Sequence, residues 1–168
     1  AREAVLEMNS VLLSTWENDL KPSLAAEAGI VVLNHDDCSD AQKKWLREYF
    51  LTHVFPILTP LAVDPGHPFP FISNLSLSLA VTLKHPGRKT EHFARIKVPT
   101  SEGRWIPLPD ESGWVPLEQV ISHNVGELFR GMKVVGVHAF RITRNADLKR
   151  DEEVADDLIE MISEELQE

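Results

Sequence analysis

Between Leu75 and Leu83 apolar and small polar residues alternate almost without exception. Leu75, Leu77, Leu79, Val81 and Leu83 fall on one side, and Ser76, Ser78, Ala80 and Thr82 on the other. A period of two predicts a strand with one face in a core. The small opposite face suits a packed neighbour or water. Residues 84–89 contain His85, Pro86 and Gly87 and predict a turn, with residues 90–98 pairing back as a hairpin. Residues 105–108 form a third short strand, placed at an edge by Pro107 and Pro109. Residues 134–143 form a further one.

Elsewhere the period lengthens to about 3.6. Val5, Leu12, Leu13, Trp16 and Leu20 make one stripe of a helix over residues 2–20, which Pro22 ends, kinks or follows with a short second helix through Glu27. Gly29 punctuates, and residues 30–33 read as a short buried strand. Ser39 and Gln42 have capping-box spacing, opening a helix that carries Trp45, Leu46, Tyr49 and Phe50 to about Val54, where Pro56 stops it. Pro116 precedes a helix over residues 117–129, with Gly131 as its C-cap. Val154, Leu158, Ile162 and Leu166 mark a last helix over residues 151–167. Helices mixed irregularly with antiparallel strands predict an α+β fold: a two-layer sandwich of a mainly antiparallel sheet with packed helices, plus a long N-terminal helix.

The segment leading into the alternating strand is of another kind. Pro56, Pro60, Pro65, Pro68 and Pro70 crowd residues 55–70, yet the stretch stays apolar, so it reads as a packed strap and not a loose linker. Two X-Pro bonds in it, His67–Pro68 and Phe69–Pro70, are candidates for the cis form.

Composition adds a boundary and an exclusion. At 168 residues with 43% apolar content the chain fits one domain with a real core. The net charge of −9 is local: residues 151–168 hold nine acids and no base, and the other 150 residues balance 17 bases with 17 acids. Nothing here resembles the basic face of a nucleic-acid binder. No signal peptide is visible, and no apolar run comes near the ~20 residues of a membrane span. One cysteine, Cys38, rules out an internal disulfide and fits a reducing compartment. A start at Ala1 reads as processing or excision from something longer.

Phosphate-cradling and dinucleotide glycine motifs are absent, as are zinc-spaced Cys/His sets and a nucleophile elbow. Four weaker clusters remain. His35, Asp36 and Asp37 follow Asn34; adjacent residues cannot converge on one ion without help, so a polar turn entering a helix is the simpler reading. His67, between prolines, is a ligand candidate or a histidine bonded to the strap's own carbonyls. Arg141, Arg144 and Asn145, followed by Lys149 and Arg150, could hold phosphate oxygens at a strand end, or could pair with Asp147 and the acidic terminal segment. Trp105 and Trp114 read as core plugs rather than a stacking surface.

The strap and strand, VFPILTPLAVDPGHPFPFISNLSLSLAV, resemble the middle or head domain of the bacterial histidine-phosphoenzyme type of polyphosphate kinase. GIVVL, WLREYF, RWIPLP, GWVPLEQVISHNVGELFRGM and AFRITRNADL follow in the family's order. The resemblance implies a middle domain over residues 21–168, entered by a helix over residues 1–20 from a preceding domain. It implies an enzyme that passes the terminal phosphate of ATP to inorganic polyphosphate through a phosphohistidine, with magnesium. It implies a cytoplasmic homo-oligomer, commonly a dimer, with peripheral membrane association left open. The phosphohistidine and most nucleotide and metal contacts are implied to lie in C-terminal domains, so none of the seven histidines here is expected to be catalytic and no cofactor is expected in this piece. The expected role is assembly, subunit contact and shaping the active-site tunnel, with His67, Asn74, Arg141, Arg144 and Asn145 as candidates for polyphosphate or interdomain contact. The rivals are a stand-alone polyphosphate-binding module and, more weakly, a metal hydrolase built on His35–Asp37 and His67.

Overall fold

A computed structural model of the chain describes residues 2–63, 72–87 and 90–143. The predicted terminal helix, His67, Arg144, Asn145, Lys149, Arg150 and both X-Pro bonds of the strap lie outside these residues.

Helix α1 (Arg2–Thr15) runs through a wide π turn, Trp16–Leu20, straight into α2 (Lys21–Ala28). The Lys21 amide donates to the Trp16 carbonyl, one residue farther back than in an α-helix. Pro22 therefore neither ends nor breaks the helical path. It stands in the first turn of α2, where a missing amide costs least. Gly29 caps α2 at φ 66°. The apolar stripe expected along residues 2–20 is present but buries nothing: no residue of α1 is buried.

The expected strand over residues 30–33 is reduced to one parallel bridge, Val32 opposite Trp114. Ile30 stays exposed. A tight 3-10 turn, His35–Asp37, then leads to α3 (Asp40–Tyr49). Its capping box is complete: Ser39 Oγ accepts from the Gln42 amide and Gln42 Oε1 accepts from the Ser39 amide. A π turn (Phe50–Val54) and a 3-10 turn at Phe55–Ile57 finish the helix in place of a plain α end.

Strand β1 (Leu61–Val63) follows inside the strap, which the sequence marked as packed but not as a strand. β2 (Leu77–Lys84) and β3 (Glu91–Lys97) form the expected hairpin, and β6 (Lys133–Arg141) pairs with the other side of β2. The antiparallel order is β1-β3-β2-β6, so β2 lies inside the sheet and β6 at its edge. Leu75 is left out of β2; it turns at φ 60° and is exposed. β4 (Trp105–Pro107) and β5 (Trp114–Pro116) make a separate two-stranded ribbon leading into α4 (Leu117–Asn124). α4 is shorter than predicted because Val125–Glu127 tightens into a 3-10 turn.

One core joins these layers. Leu79, Val81 and Leu83 of β2 and Ala94 and Ile96 of β3 meet Leu46 of α3, Phe50 and Val54 of its π turn, and Leu117, Val120 and Ile121 of α4. On the opposite side of β2, Ser78 is fully buried and accepts from Arg95 Nε at 3.2 Å, while Ala80 and Thr82 are half-buried. Trp105 and Trp114 are 38% and 41% exposed, so they are not core plugs. Two-residue alternation turns them outward while Ile106 and Val115 fill the inner side.

Candidate functional site

Three chain segments converge at one end of the main sheet. Antiparallel register sets Leu77 at the start of β2 opposite Arg141 at the end of β6, and Ser78 opposite Lys97 at the end of β3. The turn before β2 is tied to this end, because the Leu75 amide donates to the Ile142 carbonyl at 2.8 Å and Ser76 Oγ donates to the Ser73 carbonyl at 2.8 Å. On the other side, the Val98 amide donates to the Leu77 carbonyl at 3.0 Å. The chain then reverses through Gly103, at φ 74°, to bring up Arg104.

These pieces enclose a shallow cavity of about 210 Å³. Leu75, Leu77, Val98 and Pro99 give it apolar walls, and Lys97, Arg104 and Arg141 give it three cations with no carboxylate among its lining residues. Arg104 keeps a long contact of 3.9 Å to Glu118 and stands 5.9 Å from the Trp105 ring. Among the described residues, no carboxylate pairs with Lys97 or Arg141. Three cations around an apolar floor can hold an anion with several oxygens. Among the described residues, no histidine lines the cavity.

Of the residues singled out in the sequence, Arg141 lines this cavity and Asn74 stands in the turn beside it. Lys97 and Arg104 were missed. The hairpin register could have found Lys97, since pairing residues 75–83 with 90–98 brings the end of one strand to the start of the other. Arg104 has no local signal, because its position depends on how the 101–103 turn folds back. The His35–Asp37 turn lies elsewhere, against α4.

A family model described as the polyphosphate kinase middle domain matches residues 41–168. A polyphosphate kinase of Synechocystis sp. is 46% identical over 176 residues, which takes in 98% of this chain and 24% of that protein. One from Aphanizomenon baltica is 47% identical over 162 residues, or 90% of this chain and 42% of that protein. The crystal structure of polyphosphate kinase from Porphyromonas gingivalis superposes with a TM-score of 0.76 at 27% identity, covering 89% of this chain and 24% of that one. The chain thus spans well under half the length of the relatives it matches. Among the described residues, no helix is long and apolar enough to cross a membrane.

Proposed function

Because the chain belongs to the polyphosphate kinase family, as its middle domain, we propose that it serves as a non-catalytic assembly unit of a larger enzyme. In this reading the whole protein moves the terminal phosphate of ATP to polyphosphate through a phosphohistidine held in other domains. The observation that carries the reading is the helical arm. Val5, Leu6, Met8, Val11, Leu12 and Leu13 are all exposed on α1, although each is a residue that folding ordinarily removes from water. A face of that kind finds its cover in the rest of the enzyme or in a second subunit. Among the described residues the basic cavity offers cations and no carboxylate, which suits an anion. The test is direct: the purified 168-residue chain, given ATP and magnesium, neither acquires acid-labile phosphate nor lengthens polyphosphate. Either product would overturn the reading.

A second reading rests on the cavity itself, in which Lys97, Arg104 and Arg141 gather where sequence alone offered Arg141. There the domain also touches polyphosphate on its way to or from the reaction centre. Calorimetry with long-chain polyphosphate should then show binding that weakens steeply with salt and is lost in the Arg104→Ala, Arg141→Ala double variant. Salt-insensitive or absent binding leaves only the assembly role.

A further inference from the structure

Gln119, in the first turns of α4, organises two histidines that lie far apart in sequence. Its side-chain Oε1 accepts from the His35 amide at 2.7 Å, and its backbone carbonyl accepts from His123 Nδ1 at 2.9 Å. Its Nε2 donates to Asn34 Oδ1 at 3.2 Å, which fixes the turn that carries His35 and Asp36. A carbonyl can only accept, so His123 Nδ1 carries a proton there. His123 Nε2 is 3.0 Å from Asp36 Oδ1. The two His rings stack at 3.8 Å and 17°, and His35, only 7% exposed, has a buried Nδ1 with no hydrogen-bond partner among the described residues.

Two features therefore coincide: the Asp36 carboxylate against His123 Nε2, and a buried ring nitrogen of His35 with no partner among the described residues. One ligand atom from each of His35, Asp36 and His123 lies within 4.8 Å of the others. The geometry points to a binding site for a divalent transition-metal ion at His35, Asp36 and His123. Two imidazoles and one carboxylate are the donor set of zinc, cobalt or nickel; magnesium and calcium prefer all-oxygen shells. With bonds of ~2.0–2.1 Å the ligands of a tetrahedral ion stand about 3.3 Å apart, so the cluster contracts on binding. Asp36, whose side chain is 83% exposed, has the freedom to swing in. The stack must open as well, and His123 has room because it borders an open cavity with Arg47 and Glu127. Lys43, bonded through Nζ to the Asp36 carbonyl at 2.9 Å, opposes the added charge.

The test uses the 168-residue chain, Co²⁺ as a visible probe and Zn²⁺ as competitor. The expected result is one equivalent of Co²⁺ with visible absorption bands of a low-coordinate site, displaced by Zn²⁺ and untouched by about a hundredfold excess of Mg²⁺. His123→Gln and Asp36→Asn, both at exposed positions, should each weaken binding by about tenfold or more with the circular dichroism spectrum unchanged. His85→Gln, in the remote hairpin turn, should leave it alone. Absence of saturable binding overturns the site. So does affinity that His123→Gln and Asp36→Asn leave unchanged, which assigns the metal to scattered histidines, and so does equal competition by Mg²⁺.

Discussion

The thiol of Cys38 is buried and donates to the Asn34 carbonyl at 3.5 Å. Burial pushes its pKa above the ordinary thiol value, Lys43 opposes that shift, and Asp37 and Asp110 add to it. In the folded chain Cys38 therefore holds its proton at pH values where an unfolded thiol has lost it. The sign follows: this contribution to stability is complete below the unfolded pKa and declines as pH rises toward the folded one. A disulfide reagent at pH 8 should modify Cys38 only at the rate of unfolding, and rapid labelling without denaturant would contradict the burial. Gly113 makes a second residue-scale prediction. A Cβ there would lie 2.6 Å from the Val31 carbonyl oxygen, which is held by the Trp114 amide at 2.8 Å. Backbone cannot step aside as a side chain can, so Gly113→Ala should destabilise by about 1–3 kcal/mol in urea titration. The Gly113 clash was not legible in sequence, since it depends on a contact between segments some eighty residues apart.

At the scale of elements, periodicity found the strands and helices but not where they stop. The β2–β3 hairpin, α3, α4 and β6 follow directly from spacing. Their ends do not, because π and 3-10 turns replace α geometry where packing asks for it: Phe50 and Val54 of one such turn lie in the core. β1 was hidden by prolines that flank it without interrupting its pairing with β3. The site was legible to the same degree. Arg141 could be read as a strand end, whereas Lys97 and Arg104 join it only through register and turn geometry. The Ser39–Gln42 box was read correctly, yet it has a second task. Gln42 Nε2 donates to Asp110 Oδ2 at 3.0 Å and to Ser112 Oγ at 2.8 Å, tying the start of α3 to the β4–β5 turn. Ser39→Ala should cost about 1 kcal/mol, the usual worth of an N-cap. Gln42→Ala should cost more, because it also releases the turn. Equal losses in thermal melts would mean that the tether contributes nothing.

For the whole molecule, the division is between a body with a single core and an arm without one. Surface substitutions away from packed features change stability little. Leu12→Glu with Leu13→Glu should therefore leave the melting temperature of the 168-residue chain essentially unchanged. In a full-length polyphosphate kinase carrying this domain, the same pair should shift the assembled enzyme toward smaller species in size-exclusion chromatography. A large loss of stability in the short chain would show that α1 packs on its own body instead.

The wide turn at Trp16–Leu20 has a consequence for that arm. Each helical residue advances about 100° around the axis, and a π turn holds one residue more than the α turn it replaces. The angular phase between α1 and α2 is thus written in a residue count rather than in any side chain. α2 leads into Val31 and Leu33, which bond to Trp114 and anchor it to the body. Deleting a single residue within Trp16–Leu20 would close the turn to regular α form with that phase kept, whereas drawing all its residues into regular α form would turn the entire leucine face by about 100° relative to that anchor. In the second case the arm would keep its composition and its apolar surface, and would present that surface in another direction.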